Sequence, residues 1–153
     1  MQFSVAMLSI HTSPLDSPGR TRDAGGMNVY IRELARELGR RHTRVDIFTR
    51  WTNEQQPRIV QLDPYVRVIH IKAGPLAPIA KSDLYEYLPI FAQRIDEFRQ
   101  GEARDYDLLH SHYWLSGVVA MQLAQRWQIP HVTMFHTLAR LKQLAHPGEP
   151  VLP

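Results

Sequence analysis

Cysteine is absent from the 153 residues, which excludes disulfides and thiolate metal sites. No apolar run approaches the ~20 residues of a membrane span. The opening "MQFSVAMLSIHTSP" lacks a charged n-region and turns polar after about ten residues, so it reads as a first strand rather than a signal peptide. The cytoplasm is the expected location. A GK[ST] phosphate loop is missing, which argues against an NTPase. So is GxGxxG, and the second strand closes on Arg50 where the ribose of a nicotinamide cofactor wants an acid. Neither repeats nor low-complexity tracts occur.

What is present suits one globular domain, residues 1–153, able to bury a core. With 44% hydrophobic and 22% charged residues the composition is that of an ordinary folded protein. The net charge is only +3, but residues 20–50 hold Arg20, Arg22, Arg32, Arg36, Arg40, Arg41, Arg44 and Arg50 against Asp23, Glu33, Glu37 and Asp46. Such a region attracts phosphates or nucleic acid. It equally makes a solvated helix face with Glu33–Arg36 and Glu37–Arg41 pairs, the reading favoured for most of these arginines. A nucleic-acid binder would need a concentrated basic and aromatic segment, and none is seen.

Apolar periodicity divides the chain into alternating elements. "FSVAMLSI" (3–10) has the unbroken apolar pattern of a buried parallel strand. Met27, Tyr30, Ile31, Leu34, Ala35 and Leu38 form one helical stripe. Strands follow at 44–50, 58–62 and 66–71, the last two around an Asp63-Pro64 turn. After the Pro-rich loop "KAGPLAPIAKS" (72–82) comes a helix with Asp83 or Ser82 as N-cap and Gly101 as stop, which Pro89 must kink or divide. The spacing predicts a strand at 106–112, a buried helix at 114–127, a strand at 131–135 and a helix beginning in "TLARLKQLA". This alternation predicts an α/β fold: a doubly wound, Rossmann-like parallel sheet, with the first strand central and 106–112 beside it across the switch point. Ligands bind such sheets at the carboxyl ends of the strands.

That rim collects His11, Thr12 and Ser13, then His110, Ser111, His112 and Tyr113, then His136 and Thr137. Three readings compete. His110-x-His112 on a strand could point two rings at a metal, but no nearby carboxylate completes the set. Each histidine could instead cap its strand. Or the rim could be a polar pocket for a hydroxylated ligand, which is the reading favoured for the group. Gly25 and Gly26 lead into the first helix on the same rim. The free amides and dipole at that helix start suit a phosphate.

"DAGGMNVYIRELARELGRR", "VDIFTR", "HSHYWLSG" and "FHTLARLK", in this order, resemble the N-terminal half of retaining GT-B glycosyltransferases of the glycogen-synthase-like group. The nearest branches are the inositol-phosphate glycosyltransferase of mycothiol synthesis and the sucrose-phosphate and sucrose synthases. The resemblance implies transfer of a hexosyl unit from a nucleotide sugar, expected to be a UDP-sugar, to an acceptor hydroxyl with retention. It implies an N-terminal half that binds the acceptor, and no metal or other cofactor. It implies that Gly25 and Gly26 approach the donor diphosphate. Asn28, Lys81, Tyr113 and Thr137 would hold a phosphorylated acceptor such as inositol phosphate or fructose phosphate. His136 would be the active-site histidine near the transferred sugar.

Two departures stand out. Many relatives place Gly after the first helix, in "GRRGH", where this chain has His42 in "GRRHT". Relatives also continue into a second Rossmann-like domain with glutamates that bind the nucleotide sugar. The chain is therefore expected to be an incomplete N-terminal half whose partners are a nucleotide sugar, a phosphorylated acceptor and a C-terminal half of the enzyme. It is expected to be inactive alone and to self-associate through the exposed edge of "HVTMF". The competing reading is a non-catalytic module that binds a sugar phosphate or a protein.

Overall fold

A computed structural model of the chain describes residues 1–17, 19, 25–137, 144, 145, 147 and 148. Among the described residues six strands form one sheet: β1 (Ser4–Leu8), β2 (Arg44–Arg50), β3 (Ile59–Asp63), β4 (Val66–Ile71), β5 (Leu108–His112) and β6 (His131–Met134). Their order is β3-β4-β2-β1-β5-β6. β1 is central, paired in parallel with β2 and with β5, so the strand order reverses between β1 and β5 as the sequence predicts. β6 pairs in parallel with β5. β3 alone runs antiparallel, since the short Asp63-Pro64 turn can return the chain only as a hairpin against β4.

Among the described residues three α-helices cover the sheet: α1 (Gly26–Arg40), α2 (Leu88–Gly101) and α3 (Tyr113–Trp127). Alternation along each strand sorts the core into two layers. Val5 and Met7 of β1, Val45 and Ile47 of β2, and Val66 and Val68 of β4 meet Ile31 and Ala35 of α1. Ala6 and Leu8, Phe48, Ile69 and Leu109 face the other way, toward Phe91 and Ile95 of α2 and Leu115, Val119 and Leu123 of α3. The carboxylate of Asp46 is buried within the second layer. Asp46 takes a bidentate pair from Arg67 (2.8 and 2.9 Å), a third bond from Arg104 (2.8 Å) and the Tyr106 hydroxyl (2.7 Å).

The helix ends follow local chemistry. α1 closes with His42 at φ 60°, its N–H donating to Gly39 O (2.9 Å) while Thr43 N–H reaches Leu38 O (3.0 Å). This is the left-handed Schellman closure that glycine usually makes, here with histidine in the αL position. The helix expected over 83–101 is divided. Lys81–Tyr87 is a 3-10 segment, and the α-helix starts only at Leu88, with Pro89 in its first turn. Proline lacks an N–H and fits a helix at its start, so it sets where α2 begins. Neither Ser82 nor Asp83 caps a helix as expected; the Ser82 hydroxyl donates to Asp83 instead (3.1 Å). The helix expected from "TLARLKQLA" falls mainly on 138–143, outside the described residues.

Candidate functional site at the carboxyl rim

The loop after β1 is tied to α1 by Asn28. The Thr12 hydroxyl donates to Asn28 Oδ1 (2.9 Å), and Asn28 Nδ2 donates to Ser13 O (2.7 Å). Asn28 is fully buried. Its amide therefore fixes the rim from within, one turn into the helix.

Gly25 is the N-cap of α1 and Gly26 its first residue. Neither has a positive φ. Among the described residues nothing lies within 4 Å of a Cβ built on either. The glycines are thus not needed for a left-handed turn or for tight protein packing. What they leave, among the described residues, is open space where a side chain would stand at either position.

Tyr113 leaves β5 at φ 72° as the first residue of α3. A bulky residue in this region carries strain of roughly 1–3 kcal/mol. Its ring stands 4.6 Å from that of His11, at the end of β1, and the Lys81 ammonium lies 5.2 Å from the ring centroid. Lys81 and Tyr113, expected to act together, are therefore together. His136, after β6, is also at positive φ, 59°. Its Nε2 is hydrogen-bonded to His112 Nδ1 at 2.9 Å. Thr137 follows it in the chain, exposed, with its N–H donating to Phe135 O (2.6 Å).

Desolvation shifts His112, His110 and His136 toward the neutral form. It pushes His112 down to about 2, helped by His110 and His136 nearby. It lowers His110 and His136 as well. Two neutral rings share one hydrogen bond, so one gives an N–H and the other accepts it. The rings of His110 and His112 are 4.3 Å apart. Among the described residues no group of three His, Cys, Asp or Glu side chains could hold a metal.

Tyr30 corrects the sequence reading. It is 40% exposed rather than part of the core stripe, with its ring 5.5 Å from His136 and 6.0 Å from His112. It lies one turn after Gly26, at the end of α1 that overhangs the rim, so its stripe position looks over the strand ends instead of down onto the sheet. Through Tyr30 the glycine end of α1 and His136 share one side of the sheet.

The sequence showed Arg50 as one of the basic residues of 20–50 and as the residue standing where a dinucleotide site has an acid. It ends β2, is 4% exposed, and donates to three backbone carbonyls of the Pro-rich loop: Ala73 (3.3 Å), Pro75 (2.6 Å) and Ala77. Along α1 the expected pairs form, Arg36 with Glu33 (3.2 Å) and Arg41, at the C-cap, with Glu37 (3.0 Å).

Residues 25–152 match the glycosyl transferase 4-like domain. The chain belongs to that family. It is 49% identical over 148 residues to the D-inositol 3-phosphate glycosyltransferase of Xylanimonas cellulosilytica, covering 95% of this chain and 35% of that protein. It is 51% identical over 143 residues to the protein of the same name from Kineococcus radiotolerans, covering 92% and 32%. Among solved structures, sucrose-phosphate synthase from Thermosynechococcus elongatus superposes with a TM-score of 0.87 at 34% identity, over 94% of this chain and 35% of that one. This glycosyl transferase 4-like chain thus has the Rossmann-like architecture of a GT-B glycosyltransferase and spans about a third of the length of the curated relatives it matches. None of its described helices is long and apolar enough to cross a membrane.

Proposed function

We propose that the chain is the acceptor-side portion of a retaining glycosyltransferase that moves a hexosyl unit from a nucleotide sugar, a UDP-sugar, to a phosphorylated polyol. The observation that carries this reading is the seat of Lys81 over Tyr113, itself held at φ 72° on the carboxyl rim of the sheet. An ammonium held beside a phenol is suited to a phosphate with neighbouring hydroxyls. Inositol phosphate is favoured over fructose phosphate, because the relatives at about half identity carry the inositol-phosphate name while the sucrose-phosphate synthase is 34% identical.

The remaining roles follow from position. Gly25 and Gly26 leave room for the donor diphosphate over the amides of α1. His136, shifted toward the neutral form, offers a hydrogen bond to a sugar hydroxyl rather than a charge. Thr137 supplies a second hydroxyl next to it. Asn28 acts on the acceptor by fixing the Thr12–Ser13 loop. A C-terminal half, for which the longer relatives have room, would bring the nucleotide sugar.

Calorimetry with inositol 3-phosphate, inositol, fructose 6-phosphate and random-sequence DNA, over a salt series, tests the reading. Inositol 3-phosphate should bind best, and more weakly as salt rises. Equal binding of inositol and its phosphate would refute it. Transfer needs donor and acceptor held in attack geometry, so the 153-residue chain alone should turn over no nucleotide sugar. Measurable turnover would refute the half-enzyme assignment.

A further inference from the structure

Arg50 is a buried guanidinium whose hydrogen bonds run to backbone carbonyls of a single loop. Burying this charge is unfavourable, and burial does lower its affinity for a proton. A planar fork of donors makes the arrangement workable, because one arginine can reach Ala73, Pro75 and Ala77 together. Lysine, with a compact ammonium, cannot span the same carbonyls.

The clamped loop is stitched at a second point. Gly74 has φ 80°, and a Cβ there would come within 2.7 Å of the Tyr87 ring. Tyr87 closes the 3-10 segment that Lys81 opens. Arg50 and Tyr87 thus hold the same stretch, residues 73–77, and Tyr87 ties it to the 3-10 segment. Little freedom remains between Ala77 and Lys81. Pro78 has a fixed φ, and Ala80 is extended at φ −61° and ψ 144°. Asp83 N–H then donates to Ala80 O (2.9 Å), and Leu84 is buried.

We infer that Arg50 is a positioning residue for Lys81: by clamping the carbonyls of 73–77 it fixes where the Lys81 ammonium stands over Tyr113, and so sets selectivity for a phosphorylated acceptor. The inference rests on the acceptor reading of Lys81. It makes the residue that replaces the dinucleotide-binding acid the determinant of a different anion's site.

The test is a double-mutant cycle on the 153-residue chain, with inositol 3-phosphate and inositol as probes. Lys81→Ala should reduce the preference for the phosphorylated form by about tenfold. Arg50→Gln should reduce it by a similar factor without touching the ligand, and Arg50→Gln with Lys81→Ala should lose no more than either alone. Arg50→Lys, which keeps the charge and the fold but reaches fewer carbonyls, should fall between wild type and Arg50→Gln. Hydrogen exchange of 72–81 should accelerate in both Arg50 variants. A wild type with no preference for the phosphate overturns the acceptor reading and this inference together. A preference that survives Arg50→Lys intact, or losses that add in the double variant, overturns the inference and leaves the acceptor reading standing.

Discussion

The Lys81 ammonium stands 5.2 Å from the centroid of the Tyr113 ring, joining the Pro-rich loop to the first residue of α3. Such a contact contributes about 0.5–1 kcal/mol when partly exposed. Tyr113→Leu should therefore weaken inositol 3-phosphate binding more than inositol binding. Tyr113→Phe should keep the seat for Lys81 and lose only the phenol's hydrogen bond, affecting both ligands alike. Calorimetry on the two variants separates ring from hydroxyl.

The empty space beside Gly26 separates stability from function. Gly26→Ala should leave thermal stability unchanged or raise it by up to about 1 kcal/mol, since the added methyl meets no described atom. In a full-length relative, the matching substitution should raise KM for the nucleotide sugar about tenfold or more, as the methyl occupies room meant for the diphosphate. Melting curves and steady-state kinetics check the two halves.

Acid should destabilise the chain through its histidines. His112 titrates near 2 when folded and near 6.5 when unfolded, so between these values the unfolded chain binds the extra proton. Stability is complete above about pH 6.5 and falls as pH drops, by as much as about 1.4 kcal/mol per pH unit from this residue alone. His70, His110, His131 and His136 are lowered by burial too and act with the same sign. Melting temperature should drop from pH 7.5 to pH 5. His112→Asn, which cannot titrate, should flatten part of that slope.

Asp46 should be the costliest single charge to remove. It is buried between Arg67, Arg104 and Tyr106, and losing the carboxylate leaves two guanidiniums facing each other. Asp46→Asn should cost about 3–5 kcal/mol in urea unfolding. The site at the opposite rim should keep its ligand selectivity in whatever fraction remains folded.

β6 should draw a second copy. Among the described residues its outer edge has no partner strand, and Val132, Met134 and Phe135 are exposed. Light scattering should detect self-association that Val132→Lys with Phe135→Lys abolishes. A wild-type monomer at high concentration would count against it.

Most of the scaffold was legible because its signals are local. The ranges of β2 and β4, the parallel pairing of β1 with β5 and the ion pairs of α1 follow from periodicity, spacing and i,i+3 or i,i+4 geometry. His42 could be placed just past the first helix because a helix end is a local event; its left-handed geometry at φ 60° emerges only in the fold. The site was less legible where distant groups meet. Arg50 finds its carbonyls more than twenty residues on, and backbone acceptors leave no mark in sequence. Tyr30 obeyed the core spacing yet sits beyond the end of the sheet. The 3-10 segment was not legible because the helical spacing of Leu84, Leu88 and Phe91 runs unbroken through it while the hydrogen bonding changes.

The central place of β1 also has a consequence for the order in which the chain can fold. On one side of β1 Val5 pairs with Val45, whereas on the other it waits for Leu108. Residues up to Ile71 can thus assemble four contiguous strands and seat α1 against them as they leave the ribosome. The second side of β1 stays unzipped until a much longer loop closes, and non-local closures of this kind are slow. The histidine rim straddles that late seam, so the candidate site is expected to be among the last parts of the molecule to form.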